Sequence, residues 1–195
     1  MPDARPLRAD ARRNRQRVLD AARSAFAADG LSVPLDEIAK RAGVGPGTLY
    51  RHFPVREALI QAVVQDRLRR LAGEGAALRD ALDPGAAFFA FIDRLAAEAG
   101  PKRDLFDALA SAGVEAGPAV MAAVTDLQAQ ITELLTRAQQ AGAVRPDIGR
   151  AEFTALLSGL LFAVRPRPGT DRALLLAVFR DGLRPASTAT GQPIG

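Results

Sequence analysis

The 195-residue chain contains no cysteine, and that absence removes whole classes of chemistry. Disulfides, thiolate nucleophiles and cysteine-ligated zinc fingers are excluded. Histidine is almost as scarce: His52 is the only one, so a histidine metal cluster cannot form. No run of about 18 apolar residues occurs, so no segment suits a membrane-spanning helix. The N-terminus carries arginines but no apolar stretch of the secretory kind, and a cytoplasmic location is expected. There is no G-x-S-x-G and no phosphate-cradling glycine loop. The scattered carboxylates form no convincing pair, which argues against an enzyme, and no cofactor is implied. Nothing alternates with period two for long enough to make a strand.

Apolar residues make up 48% of the chain, enough for a core and too many for wholesale disorder. Arginine outnumbers lysine 24 to 2, which reads as the coding bias of a GC-rich genome and not as function. The distribution of charge is more telling. Arg5, Arg8, Arg12, Arg13, Arg15 and Arg17 face only Asp3 and Asp10 within residues 1–19, so the whole net charge of +4 lies there. A basic arm of this kind can neutralise phosphates and release counterions, giving affinity without sequence preference. Arg13 and Arg17, near the start of the first helix, are candidate phosphate contacts. Arg5 and Arg8 belong either to that role or to a solvated leader.

Residues 35–56, LDEIAKRAGVGPGTLYRHFPVR, read as a helix, a tight glycine turn and a second short helix. Pro34 suits the start of the first helix, and Asp36 and Glu37 lie in its first turn, where carboxylates favour the positive end of the dipole. Ala39 is small where a second helix would cross closely. Gly43 follows four residues later, where the chain leaves the helix with the positive φ that glycine tolerates. Gly45 is a plausible N-cap and Pro46 the first helical residue. Val44 and Leu49 offer apolar side chains to pack the second helix on the first. These offsets meet the steric demands of a helix-turn-helix, though an ordinary αα-hairpin would share them.

The wider pattern resembles the TetR family of bacterial regulators. The family pattern runs A-x-x-G, then IA-x-x-AGV-x-x-GTLY-x-HF, then K/R-E-x-L. This chain has Ala27-Ala28-Asp29-Gly30, Ile38-Ala39, Ala42-Gly43-Val44, Gly47-Thr48-Leu49-Tyr50, His52-Phe53 and Arg56-Glu57-Ala58-Leu59. It departs from the pattern at Gly45, where serine is common, and at Pro46, where relatives often carry a long polar side chain. The resemblance covers about residues 12–65. It implies an all-α fold: a three-helix DNA-binding domain followed by a larger helical ligand-binding and dimerisation domain, about nine helices in all. It also implies a partner, double-stranded DNA with a palindromic operator, and a homodimeric repressor released by a small-molecule effector. An activator or corepressor-dependent regulator of the same family, or a helical interaction module that reads no sequence, are the alternatives.

On matching positions the resemblance implies DNA contacts from Thr48 and Tyr50 on the second helix, and phosphate contacts from His52 and Arg56. His52 could instead cap the helix end, and Arg56 could pair with a nearby acid. Arg51 is the candidate base reader, by bidentate bonding to guanine. Pro46 and Gly47 let the backbone approach the groove.

Organisation along the chain is expected as a disordered basic arm over 1–9, the DNA-binding domain over 10–72, the second domain over 73–184 and a disordered polar tail over 185–195. Glycines 73 and 75 mark the expected seam. The first helix is expected over 10–29, ended by Gly30, and a fourth over 55–71. Later helices are expected over 86–99, 102–113, 118–141, 149–164 and 171–183. Phe88, Phe91, Phe106, Met121 and Phe162 are candidates for an apolar ligand pocket, or simply core. Asp93, Asp107 and Glu115 would orient a ligand or merely solvate the surface. The last two helices are apolar over more than one stripe, as a shared helix would be. Phe153, Leu156, Leu157, Leu160, Leu161, Leu175, Val178 and Phe179 are the candidate dimer interface, a role the resemblance also implies.

Overall fold

A computed structural model describes residues 4–98, 115–165 and 167–185, with side chains from residue 10 onward. The described residues form eight helices and no strand: α1 Ala4–Asp29, α2 Leu35–Arg41, α3 Pro46–His52, α4 Arg56–Ala77, α5 Pro84–Glu98, α6 Pro118–Gln140, α7 Arg150–Ala163 and α8 Arg172–Leu183. The helix expected over 102–113 lies outside the described residues, as do most of the polar tail and the first three residues of the basic arm. The rest of that arm differs from expectation. Residues 4–9 are not irregular but continue α1 towards the N-terminus.

The helices divide between two compact units. The first contains α1, α2, α3, α4 as far as Leu71, and α6 as far as Asp126. The second contains the end of α4, α5, the rest of α6, α7 and α8. Two of the crossings between the units therefore fall inside helices, in α4 and in α6.

In the first unit, Val18, Leu19, Ala22, Ala25 and Phe26 recur at helical spacing along α1, and all are buried. They meet Ile38 and Ala39 of α2, Leu49 of α3, and Leu59, Ile60, Val63 and Val64 of α4 in a core of buried apolar side chains. Each fully buried Leu, Ile or Phe contributes about 1.5–3 kcal/mol by leaving water. α1 stops where Gly30, at φ 85°, donates its N–H to the Phe26 carbonyl.

In the second unit the core is aromatic and aliphatic: Phe88, Phe91, Ile92 and Leu95 of α5, Leu134 and Leu135 of α6, Phe153, Leu157 and Leu160 of α7, and Leu183 of α8. Phe153 packs 5.5 Å from Phe88 and 6.3 Å from Phe179 between ring centroids. Arg94 bridges Glu74 at 2.7 Å and Glu98, tying α5 to the end of α4.

The expected seam lies within a helix and not in a loop. Gly73 and Gly75 do not break the chain; α4 runs through both to Ala77. A Cβ on Gly75 would lie 3.0 Å from both Gln130 Cβ and Phe91 Cζ, so glycine is what lets α4 approach α5 and α6. An interior helical glycine costs about 1 kcal/mol against alanine, an amount this packing offsets.

Candidate nucleic-acid interface

α2 begins after Pro34, which occupies the N-cap, one place earlier than the first-turn position expected of it. It ends in a Schellman motif. The Gly43 N–H donates to the Lys40 carbonyl at 3.1 Å and the Val44 N–H to the Ala39 carbonyl at 3.1 Å. Gly43 sits at φ 63°, as the Ala39–Gly43 spacing requires. Two residues later Gly45 caps α3 through its carbonyl, which accepts from Thr48 N at 2.9 Å and Leu49 N at 3.3 Å, with Pro46 opening the helix. The turn thus sets α3 against α2 through backbone bonds alone.

Leu49 is fully buried in α3, and Phe53 just after it is also buried. Around them Pro46, Gly47, Tyr50 and Arg51 are exposed, and Thr48 is half-buried. A Cβ on Gly47 would meet nothing within 4 Å, so no contact within the chain requires glycine there. The outer ridge of α3 is therefore open to an incoming surface, with a hydroxyl, a phenol and a guanidinium along it. Arg51 places positive charge in its last turn, and Lys40 and Arg41 do so in α2.

Tyr50 is 43% exposed. Partial desolvation, then the nearby Asp36 carboxylate, hold the phenol above its usual range. Arg17 Nη1 lies 3.7 Å from where a Cβ on Gly43 would sit, which puts this arginine beside the turn, and it also bonds Asn14. Arg13 pairs with Asp10 one turn away, with both side chains mostly exposed. Arg15, not singled out from sequence, stacks over the Phe53 ring at 5.4 Å. His52 is half-buried, its ring tilted against Phe53.

Arg56 has a role that neither sequence reading gave it. Its Nη1 donates to the carbonyls of Leu31 and of Val33, the latter at 2.7 Å. It fastens the start of α4 to the loop between α1 and α2.

Among the described residues no grouping of three His, Cys, Asp or Glu side chains could hold a metal ion, and no helix is long and apolar enough to cross a membrane. The family described as bacterial regulatory proteins, tetR family, matches residues 18–63. The family described as transcriptional regulator SbtR-like, C-terminal domain, matches residues 83–185, more than half of the chain. The chain belongs to the TetR family. It is a DNA-binding transcriptional regulator, and regulators of this family are not enzymes. The HTH-type transcriptional regulator UidR of Escherichia coli K12 is 34% identical over 188 residues, covering 91% of this chain and 93% of UidR. A TetR transcription regulatory protein from Mycobacterium vanbaalenii superposes with a TM-score of 0.74 at 42% identity, covering 92% of this chain and 99% of that one. LfrR from Mycobacterium smegmatis, solved in complex with proflavine, shares the fold at 21% identity with a TM-score of 0.59, covering 88% of this chain and 94% of LfrR.

In this TetR-family chain the remaining sequence candidates are dispersed. Phe88 and Phe91 are buried core residues of the second unit, Phe162 of that unit is 53% exposed, and Met121 is an exposed residue of the first unit. Phe106 and Asp107 lie outside the described residues. Asp93 is not a free surface acid: it pairs with Arg180 of α8, and Asp93 Oδ1 and Arg180 Nε are both buried without a further partner among the described residues. Glu115 is exposed, and its carbonyl accepts from Gln61.

The candidate interface splits in two. Phe153, Leu157 and Leu160 are buried within the protomer, so they are not available to a partner. Phe88 and Phe179 cover Phe153, which decides which stripe of α7 turns inward. Leu156 at 47% and Val178 at 62% are exposed, while Leu161, Leu175 and Phe179 are half-buried. Leu174 at 59% exposure joins Val178 one turn away on α8.

Proposed function

We propose that this regulator is a homodimeric repressor that binds a palindromic operator in the cytoplasm and leaves it when a small, hydrophobic effector occupies the second unit. The observation that carries the DNA-reading part is α3: one residue within it, Leu49, anchors the helix while Thr48, Tyr50 and Arg51 stand on its outer ridge. A seven-residue helix reads few bases, so two copies on half-sites about 34–36 Å apart give the specificity that one cannot. Leu156, Phe162, Leu174 and Val178 leave an apolar surface on α7 and α8 that a second copy would cover. LfrR, which shares the fold, holds a small aromatic molecule, proflavine. α4 and α6 each belong to both units, giving an effector two unbroken helices through which to shift the DNA-reading unit. Its differential affinity for the two arrangements sets the size of the response.

Selection of bound duplexes from a random pool at near-physiological salt tests the reading. A shared palindrome is expected with the wild-type chain. Arg51→Ala should relax one base position in each half-site, costing about 1–3 kcal/mol there. Retention without a shared sequence would sink the operator reading. Transcription from a promoter overlapping the selected site should fall with added protein; a rise would make the chain an activator.

A further inference from the structure

Arg15 differs from most cations near α3 in what holds it. Its guanidinium carbon lies 5.4 Å from the Phe53 ring centroid, over the ring. Four other arginines of the DNA-reading unit are engaged within the chain. Arg13 pairs with Asp10, Arg17 bonds Asn14, Arg41 pairs with Asp29 and Glu37, and Arg56 bonds two carbonyls. Arg15 is exposed and, among the described residues, makes no hydrogen bond or ion pair.

Phe53 gives this placement its meaning. Its N–H donates to the Leu49 carbonyl at 2.8 Å, closing α3, and its side chain is buried at 2% exposure. Phe53 therefore anchors the C-terminal end of α3, as Leu49 anchors its middle. A guanidinium lying on a ring uses its face there and keeps its in-plane N–H donors for a second partner. At the other end of α3, Arg17 stands beside the Gly43 turn. Two arginines two residues apart on α1 thus reach the two ends of the reading helix.

What fits the donors of Arg15 follows from what α3 meets. A planar guanidinium fork matches the paired oxygens of a phosphate. A helix seated in the major groove has the phosphate backbones beside it, and contacts to them fix register without reading sequence. A phosphate held by Arg15 is joined through the Phe53 ring to the core that carries α3. The link is one stacked contact long, so movement of the phosphate and of the helix end are tied together.

We infer that Arg15 is a positioning residue for DNA reading: stacked on Phe53, it holds one backbone phosphate at the end of α3 and sets the register of Thr48, Tyr50 and Arg51, a role that rests on α3 being the helix that enters the groove. The test is fluorescence anisotropy of the full chain with the selected duplex and with one of unrelated sequence, over a series of salt concentrations. Each phosphate contact adds about 0.9 to the slope of log K against log salt, so Arg15→Met should lower the slope by about 0.9 per copy bound. At about 0.15 M salt the same relation gives a loss of about fivefold in affinity per copy. Arg15→Lys restores the charge and should recover most of the slope. Arg150→Met, at an exposed site on α7, makes the same change in net charge and should leave the slope unchanged. Methionine still covers Phe53, so Arg15→Met should melt close to wild type; an arginine that only covers the ring would give a lowered midpoint and a wild-type slope. Should Arg15→Met unfold, Arg15→Gln is read in the same way. Arg51→Ala separates the two levels of the reading. If it leaves the preference for the selected duplex intact, α3 is not the reading helix and both ideas fall. If it erodes that preference while Arg15→Met keeps the wild-type slope, the role of Arg15 alone is overturned.

Discussion

Replacing Arg56 with methionine separates two accounts of one residue. The family resemblance makes Arg56 a phosphate contact, whereas its Nη1 bonds the carbonyls of Leu31 and Val33. Methionine keeps much of the stem and removes the donors. A hydrogen bond from a charged donor contributes about 1.5–3 kcal/mol, and the carbonyls left behind in a half-buried setting lose their partner. Two bonds sharing one nitrogen do not add fully, so a loss of about 2–4 kcal/mol is expected for Arg56→Met. At about 2–4 °C per kcal/mol for a chain of this size, the melting midpoint should fall by roughly 4–16 °C. The same variant, held below its transition, should keep the salt dependence of operator binding. Each phosphate contact adds about 0.9 to the slope of log K against log salt, so loss from both copies of a dimer would lower it by about 1.8. A melting midpoint unchanged from wild type, with a slope lowered by that amount, would refute the carbonyl-clasp account. A lowered midpoint with an unchanged slope supports it.

Two glycines two residues apart, on opposite faces of α4 and opposite in expectation, probe that helix. A Cβ at Gly73 meets nothing within 4 Å, so Gly73→Ala should stabilise by about 0.5–1 kcal/mol in denaturant unfolding through helix propensity alone. Gly75→Ala meets Gln130 and Phe91 at 3.0 Å, and overpacking should outweigh that gain for a net loss of about 1–2 kcal/mol; a stabilised Gly75→Ala would show that the contact is soft. Tyr50 gives a pH test. Its phenol is raised above the ordinary value of 10.0, so its neutral form is favoured in the folded state, and its contribution is fully present below about pH 10 and lost as pH rises through the folded value. The stability difference between wild type and Tyr50→Phe should therefore be flat from neutral pH to about 10 and shrink above it; a flat difference throughout would discount the desolvation and the Asp36 charge as perturbers of the phenol. Finally, Val178→Glu and Leu174→Glu, at exposed sites, should leave the helical circular dichroism intact and shift sedimentation towards the monomer, whereas unchanged sedimentation would place the dimer contact elsewhere.

What could be read along the chain was local. The positive φ of Gly43 follows from its place four residues after Ala39, and the burial of Val18, Ala22, Ala25 and Phe26 follows from their helical spacing. Glycine elsewhere was ambiguous, because Gly73 and Gly75 look alike as letters. Only the neighbours Phe91 and Gln130 reveal why one of them must lack a side chain. The partners of Arg56 lie 25 and 23 residues back at backbone carbonyls, which no spacing rule encodes. On α7 two apolar stripes were visible, but which one faces inward depends on Phe88 of another helix. Asp36 was legible as a first-turn acid and not as a charge beside Tyr50, since that proximity crosses from one helix to the next.

The sparse anchoring of α3 has a consequence for how such a regulator changes its target. The fold needs Leu49 and Phe53 below the helix and the Gly43 turn before it, and it makes little demand on Pro46, Gly47 or Arg51. Substitutions at those exposed positions should be close to neutral for stability, within about 0.5 kcal/mol. Binding preference can then drift, or be redirected by a small combinatorial library, without passing through unfolded intermediates. The scaffold and the code it carries are, at this helix, nearly independent variables.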